Sequence, residues 1–207
     1  MDVTLEGLLP DEKVLMKRSA NALVNIKDYG LSRFFADDFL RLAGMKNIEG
    51  IGGKLYLTNY RVLSKSHGFN RLTGKFSIAL PTIQSVKDTS RFVMKRIEIG
   101  TDTEMFEFVV WGIPELIAAI DEARVALTTA EVVRLREAVT TNYEKFADGL
   151  KVANAIEMVN KTLLVARKSG TLAKVAAGAS NPFELSGIMN FLELLGNEAP
   201  GGGSSTG

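Results

Sequence analysis

Between residues 51 and 96 the sequence sets nine basic residues, Lys54, Arg61, Lys65, Arg71, Lys75, Lys87, Arg91, Lys95 and Arg96, against one acid, Asp88. The segment carries +8 and leaves −7 on the rest of a 207-residue chain whose formal charge is +1. Segregated charge of this kind suits an anionic partner. A phosphate on a lipid headgroup needs converging donors, with arginine binding it bidentately and lysine acting as a point charge. Strand alternation puts Lys54 on one face of its strand and Arg61 with Lys65 on one face of the next. Arg71, Lys87 and Arg91 are loop residues that gather near them if the strands curl. The candidate ligand-binding residues are therefore Lys54, Arg61, Lys65, Arg71, Lys75, Lys87 and Arg91. The competing account is a solvated outer face neutralised by acids from elsewhere, since alternation always leaves polar residues outside. Nucleic acid is disfavoured as the anion, because neither aromatic interleaving nor a recognition helix accompanies the charge.

Reactive chemistry lacks its parts. The chain has no cysteine and one histidine, His67, so thiol nucleophiles, disulfides and Cys/His zinc sites are left without their groups. His67 stands near Ser64 and Ser66, but a serine hydrolase also needs an orienting acid and an oxyanion site, and no Gly-x-Ser-x-Gly elbow is present. The pairs Asp37/Asp38 and Asp121/Glu122 read as solvated helix faces. The glycines from Gly50 to Gly53 lead into a strand, so they form no Walker or dinucleotide loop. No catalytic residue, metal ligand or cofactor site is assigned, and the reading is of a protein that is not an enzyme.

The elements that position the cations come from periodicity. Lys13 to Ile26 reads as one or two strands after the turn of Pro10 and Asp11. Leu55 and Leu57 alternate with Lys54, Tyr56 and Thr58, as a half-buried strand requires. Thr58 to Arg61 is the turn, where Asn59 tolerates a left-handed backbone and can bond neighbouring amides. Val62 to Ser66 returns, and Phe76, Ile78 and Leu80 mark the next strand, ended by Pro81. Ile83 and Val86 continue into a short edge element. Phe92 to Gly100 and Met105 to Val110 then form a hairpin. Pro114 opens a helix whose buried stripe is Ile113, Leu116, Ile117, Ile120 and Leu127.

A second helical pattern lies near the start, where Leu31, Phe35, Phe39 and Leu42 make one apolar face over about 30–46, with Gly44 and the glycines of 47–53 as its exit. It covers an opening of the sheet, or it presents Phe34, Phe35 and Phe39, flanked by Arg33, Arg41 and Lys46, to a membrane or partner.

The residues from Gly52 to Asn70 carry a family likeness. Glycine, an apolar strand, Leu57-Thr58-Asn59, one residue, Arg61 and a second apolar strand, followed by Phe76-Ser77-Ile78 and Ser85-Val86, resemble GRAM domains of the pleckstrin-homology-like (PH-like) superfamily, bacterial type. The resemblance covers residues 8–127. It implies an α+β fold, a curved antiparallel sheet or partly open barrel capped by a C-terminal helix, and lipid binding as a class.

Past Thr128 an extension over 128–195 is helical. Thr128 and Glu131 are spaced as a capping box, and Val132, Leu135, Val139, Tyr143, Phe146 and Leu150 recur at three and four. That seam makes either a homodimer through 129–167 or packing onto the sheet. A last helix after Pro182 turns Leu185, Ile188, Met189, Leu192 and Leu195 to one side, and 196–207 is a flexible Gly/Ser tail. The absence of an apolar run near twenty residues, and a start without signal character, favour a cytoplasmic protein that can be peripheral at a membrane. The expected function is non-enzymatic contact with acidic lipid headgroups or a membrane-associated protein. The alternative is an interaction or assembly unit that uses its C-terminal helices, with the sheet as scaffold.

Overall fold

Alternating residues build strands here, and one long strand joins the two halves of the sheet they make. The computed structural model describes residues 7–25, 48–68, 74–146 and 182–196. Its strands are β1 (Val14–Asn25), β2 (Ile48–Thr58), β3 (Arg61–Ser66), β4 (Lys75–Ala79), β5 (Ser85–Asp88), β6 (Arg96–Gly100) and β7 (Met105–Val110). They form one seven-stranded antiparallel sheet in the order β4-β3-β2-β1-β7-β6-β5. At 12 residues β1 is long enough to pair with β2 along its length and, through Ala20–Leu23, with β7.

The inner face is filled by Leu55, Leu57, Val62, Ile78, Ile97, Ile99 and Phe108, which are buried together. Helix α1 (Ile113–Ala126) closes it with Ile113, Leu116, Ile120 and Ala123, while Ile117 and Leu127 pack at its margin. The architecture is α+β, a single antiparallel sheet closed by the helix that follows its last strand, as expected.

The first strand is single, one of the two expected forms, with an irregularity between Val14 and Met16. Three local expectations change. The glycines before Lys54 belong to β2 and not to a loop. A side chain at Gly53 would collide with the Lys65 carbonyl, so close approach of β2 and β3 is what requires glycine there. Asn59 does not take the left-handed backbone. It ties the turn to the N-terminal segment instead, accepting from Lys13 N–H at 2.6 Å and donating to the Asp11 carbonyl at 3.3 Å. Finally, β6 starts at Arg96 and not at Phe92.

After α1, Thr128 and Glu131 close the expected capping box and start α2 (Thr129–Thr141), followed by α3 (Tyr143–Phe146) and α4 (Pro182–Gly196). Leu135 and Val139 of α2 and Ile188, Phe191 and Leu194 of α4 build a second core with Leu9, Tyr60 and Ala79. The buried stripe of α4 is thus Ile188-Phe191-Leu194, offset from the expected one because Asn190 and Glu193 also turn inward as polar anchors. Leu135 and Val139, the seam residues proposed for a homodimer, are spent within their own chain. Residues 147–167 of that seam, the helix over 30–46 with Phe34, Phe35 and Phe39, and Arg71 all lie outside the described residues.

Candidate functional site

Register brings three of the expected cations into a line. Lys54 of β2 pairs directly with Lys65 of β3, which pairs directly with Lys75 of β4, and Ser19 of β1 faces Lys54 from the other side. Directly opposed residues share a face, so Ser19, Lys54, Lys65 and Lys75 form one transverse row on the outer side of the sheet. Lys65 is exposed and Lys54 and Lys75 are half-buried. Lys54 Nζ donates to Ser19 Oγ at 2.6 Å. One step along, Lys17 pairs with Tyr56 on the same face and holds its ammonium 5.6 Å from the ring centroid. Lys17 was missing from the sequence-derived set because its place in the row depends on the β1–β2 register, which no local pattern announces.

Arg61 is on that face too, four residues along β3 from Lys65, but it is no surface cation. It is 0% exposed. Its guanidinium forks onto Glu12, from Nε to Oε1 at 2.7 Å and from Nη2 to Oε2 at 2.9 Å. It also donates to Ser77 Oγ at 2.8 Å and to the carbonyls of Lys145 and Gly7, each at 2.7 Å. Glu12 in turn accepts from Thr58 Oγ1 and from Leu9 N–H. Alternation assigned Arg61 its face correctly, but the segment around Gly7 to Glu12 and the end of α3 lie over that face and take it out of solvent. A buried charge pair survives only when its remaining donors and acceptors are satisfied, and this network satisfies them.

Lys87 and Arg91 do not join the row. They stand on the β5–β6 hairpin, at the far end of the strand order from β4. Lys87 is exposed and pairs across the hairpin with Glu98, and Arg91 is exposed at the base of the tip, where it bridges to Met94. Arg96 forms an ion pair with Glu107 at 3.1 Å. The basic stretch therefore divides into a lysine row with Lys65 in solvent, a buried arginine and a charged hairpin. His67 is exposed just past β3.

A fourth polar group escaped sequence reading. Glu104, at the end of the β6–β7 return, lies against α4. Burial pushes its carboxyl up to about 7, against a hydrogen bond to Ser186 that lowers it, and Glu193 raises it further. Glu104 Oε2 is buried with no hydrogen-bond partner among the described residues. Glu193 accepts from Asp102 N–H at 2.6 Å and from Thr103 Oγ1 at 3.1 Å, and burial raises its carboxyl as well. Asn190 completes this junction by accepting from Ala79 N–H at 2.7 Å and donating to Thr82 Oγ1 at 2.7 Å. It thereby occupies an amide of the edge strand β4, a position that otherwise invites another strand.

Among the described residues no group of three or more His, Cys, Asp or Glu is placed to hold a metal ion. No helix among them is long and apolar enough to cross a membrane.

No protein-family model matches the chain, and no curated protein matches it. Among solved structures it is similar to the C-terminal domain of an unknown protein from Leishmania infantum, at 13% identity and a TM-score of 0.39 over 56% of this chain and 87% of that one. It is also similar to the Vps36 N-terminal PH domain, at 16% identity and a TM-score of 0.38 over 59% of this chain and 89% of that one.

Proposed function

We propose that the chain is a binding module of the GRAM type that contacts acidic lipid headgroups at a membrane surface, without catalysing a reaction. The observation that carries this reading is the row Lys54-Lys65-Lys75 with Lys17 beside it. Like charges directly opposed on neighbouring strands are unfavourable for the fold, and an anion laid along the row turns that repulsion into attraction. Lysines make point-charge contacts, so the row suits a phosphate-bearing surface more than one bidentate ligand. Each lysine held near an anionic leaflet contributes about 1 kcal/mol of attraction. The residue set is Lys17, Lys54, Lys65 and Lys75, with Arg61 removed from it. Assembly through the C-terminal helices is the weaker reading, since Leu135, Val139, Ile188, Phe191 and Leu194 are already buried in the chain's own core.

Flotation with anionic and neutral vesicles, at low and at physiological salt, tests the reading. The expected result is recovery with anionic vesicles that declines as salt screens the contact. Equal recovery with neutral and anionic vesicles, or none with either, would exclude it.

A further inference from the structure

The β5–β6 hairpin ends in two residues that solvent should reject. Phe92 is 101% exposed and Val93 is 83% exposed. Trp111, the chain's one tryptophan, is 71% exposed at the end of β7. It belongs to the same end of the sheet, because Val110 N–H donates to the Lys95 carbonyl and Lys95 is three residues from Phe92. Three residues span at most about 11 Å of extended chain. Scattered single apolar residues on a surface are ordinary, but three large ones at one corner are a patch.

The tip is built and not frayed. Arg91 and Met94 exchange both backbone hydrogen bonds, at 3.1 and 3.0 Å, which makes Phe92-Val93 a two-residue turn. Thr89 N–H donates to the Arg96 carbonyl at 2.8 Å, and Ser90 is held from both sides by Asp88 and Arg96. Phe92 has φ 51°, at the turn position where hairpins favour glycine. A bulky residue there is strained. Its ring stacks on no other among the described residues, and it is fully exposed. A local rule broken with no compensation within the fold is the mark of a residue placed for function.

Charge identifies the partner. Lys87, Arg91 and Lys95 are exposed on the hairpin, and Arg18 comes within 3.5 Å of where a Cβ on Gly112 would lie, next to Trp111. Of the nearby acids, Asp88 is turned onto Ser90 N–H, Glu98 lies directly across the hairpin from Lys87, and Glu115 also converges on Gly112. A convex apolar tip with a basic collar matches the interface of an anionic bilayer, where rings enter the acyl boundary and cations stay at headgroup level.

We propose that Phe92 and Val93 form a wedge that inserts into anionic membranes, with Trp111 at the interface and Arg91, Lys95 and Lys87 on the headgroups. The inference rests on the lipid reading above and adds to it an inserted element, distinct from the lysine row. In a Phe92→Trp/Trp111→Phe protein the one tryptophan reports on the tip. It is mixed with phosphatidylcholine vesicles containing about 30% phosphatidylserine, some carrying brominated acyl chains, and flotation of the same samples scores binding. The expected result is a blue shift and quenching by acyl bromines in the bound fraction. Phe92→Gly/Val93→Ser, which suits the turn, is expected to melt no lower than the parent protein yet to bind roughly 10-fold more weakly. Protein that floats with unshifted, unquenched emission would overturn the wedge and leave the lipid reading standing, as would a Phe92→Gly/Val93→Ser protein that binds like the parent. Failure of the parent protein to float at all would overturn both.

Discussion

The two ends of the sheet's outer face have the same backbone and opposite fates. Along β2 the face runs Lys54, Tyr56, Thr58; along β3, Lys65, Leu63, Arg61; along β4, Lys75, Ser77, Ala79. One end is a row of lysines with Lys65 in solvent, and the other is wholly buried. Nothing within the strands causes the difference. At the buried end the chain lays down Leu8 on Tyr56 and Leu63, Leu9 and α4 around Tyr60 and Ala79, and Glu12 on Arg61. A cation on this face is therefore a structural group under the cover, while Lys65, beyond it, stays in solvent.

The largest test of that contrast is removal of the two cations in turn. Arg61→Ala leaves Glu12 buried without its counter-ion and is expected to destabilise the protein by about 3–5 kcal/mol in chemical denaturation. Lys65→Ala at the open end should stay within about 0.5 kcal/mol of the parent. Comparable losses from both would dissolve the distinction.

Acidity probes the cover from its far side. Glu104 is held near 7, well above its ordinary value of 4.5, so the folded protein keeps this carboxyl protonated where the unfolded chain has lost the proton. The stability it contributes is full below about 4.5 and is lost as pH rises through about 7, a weakening on the order of 3 kcal/mol. Glu193, also raised by burial, acts in the same direction. Denaturation midpoints measured from pH 4.5 to 8 should fall through this window, and Glu104→Gln should flatten the fall. A stability that rises over the same range in the parent and is unaltered by Glu104→Gln would contradict the assignment.

Asn190 gives a smaller and more local effect. Asn190→Ala strands the Ala79 amide at the covered edge of β4 and should cost about 1–3 kcal/mol. Amide hydrogen exchange should accelerate at Ala79 before it does in β2. Protection at Ala79 that survives the substitution would show that other groups hold this edge.

Alternation and the Gly52 to Asn70 signature made the inner half of the fold legible. Leu55, Leu57, Val62 and Ile78 point inward as their period demands, and Pro114 opens α1 as its chemistry demands. Period two separates faces but is silent on whether the outer one is covered. Arg61 shows why: its partners Glu12, Ser77 and the Lys145 carbonyl lie 49, 16 and 84 residues away. In α4 the apolar count hid Asn190 and Glu193, whose inward turn makes sense only beside the Ala79 amide and the Asp102–Thr103 return. At Phe92 an apolar residue read as the start of a strand, while its backbone takes the turn position that glycine favours. Of the candidate cations, Lys54, Lys65 and Lys75 were placeable from strand faces, whereas Lys17 required the β1 register.

The most direct measurement is the binding of Lys54→Glu/Lys65→Glu protein to anionic vesicles beside its denaturation midpoint. The midpoint is expected to stay near the parent's, since the repulsion between positions 54 and 65 is kept with its sign reversed while the 65–75 pair becomes attractive, with binding weakened at least about 10-fold. Binding equal to that of the parent protein, from a double variant that remains folded, would contradict the assignment of this face to an anionic membrane.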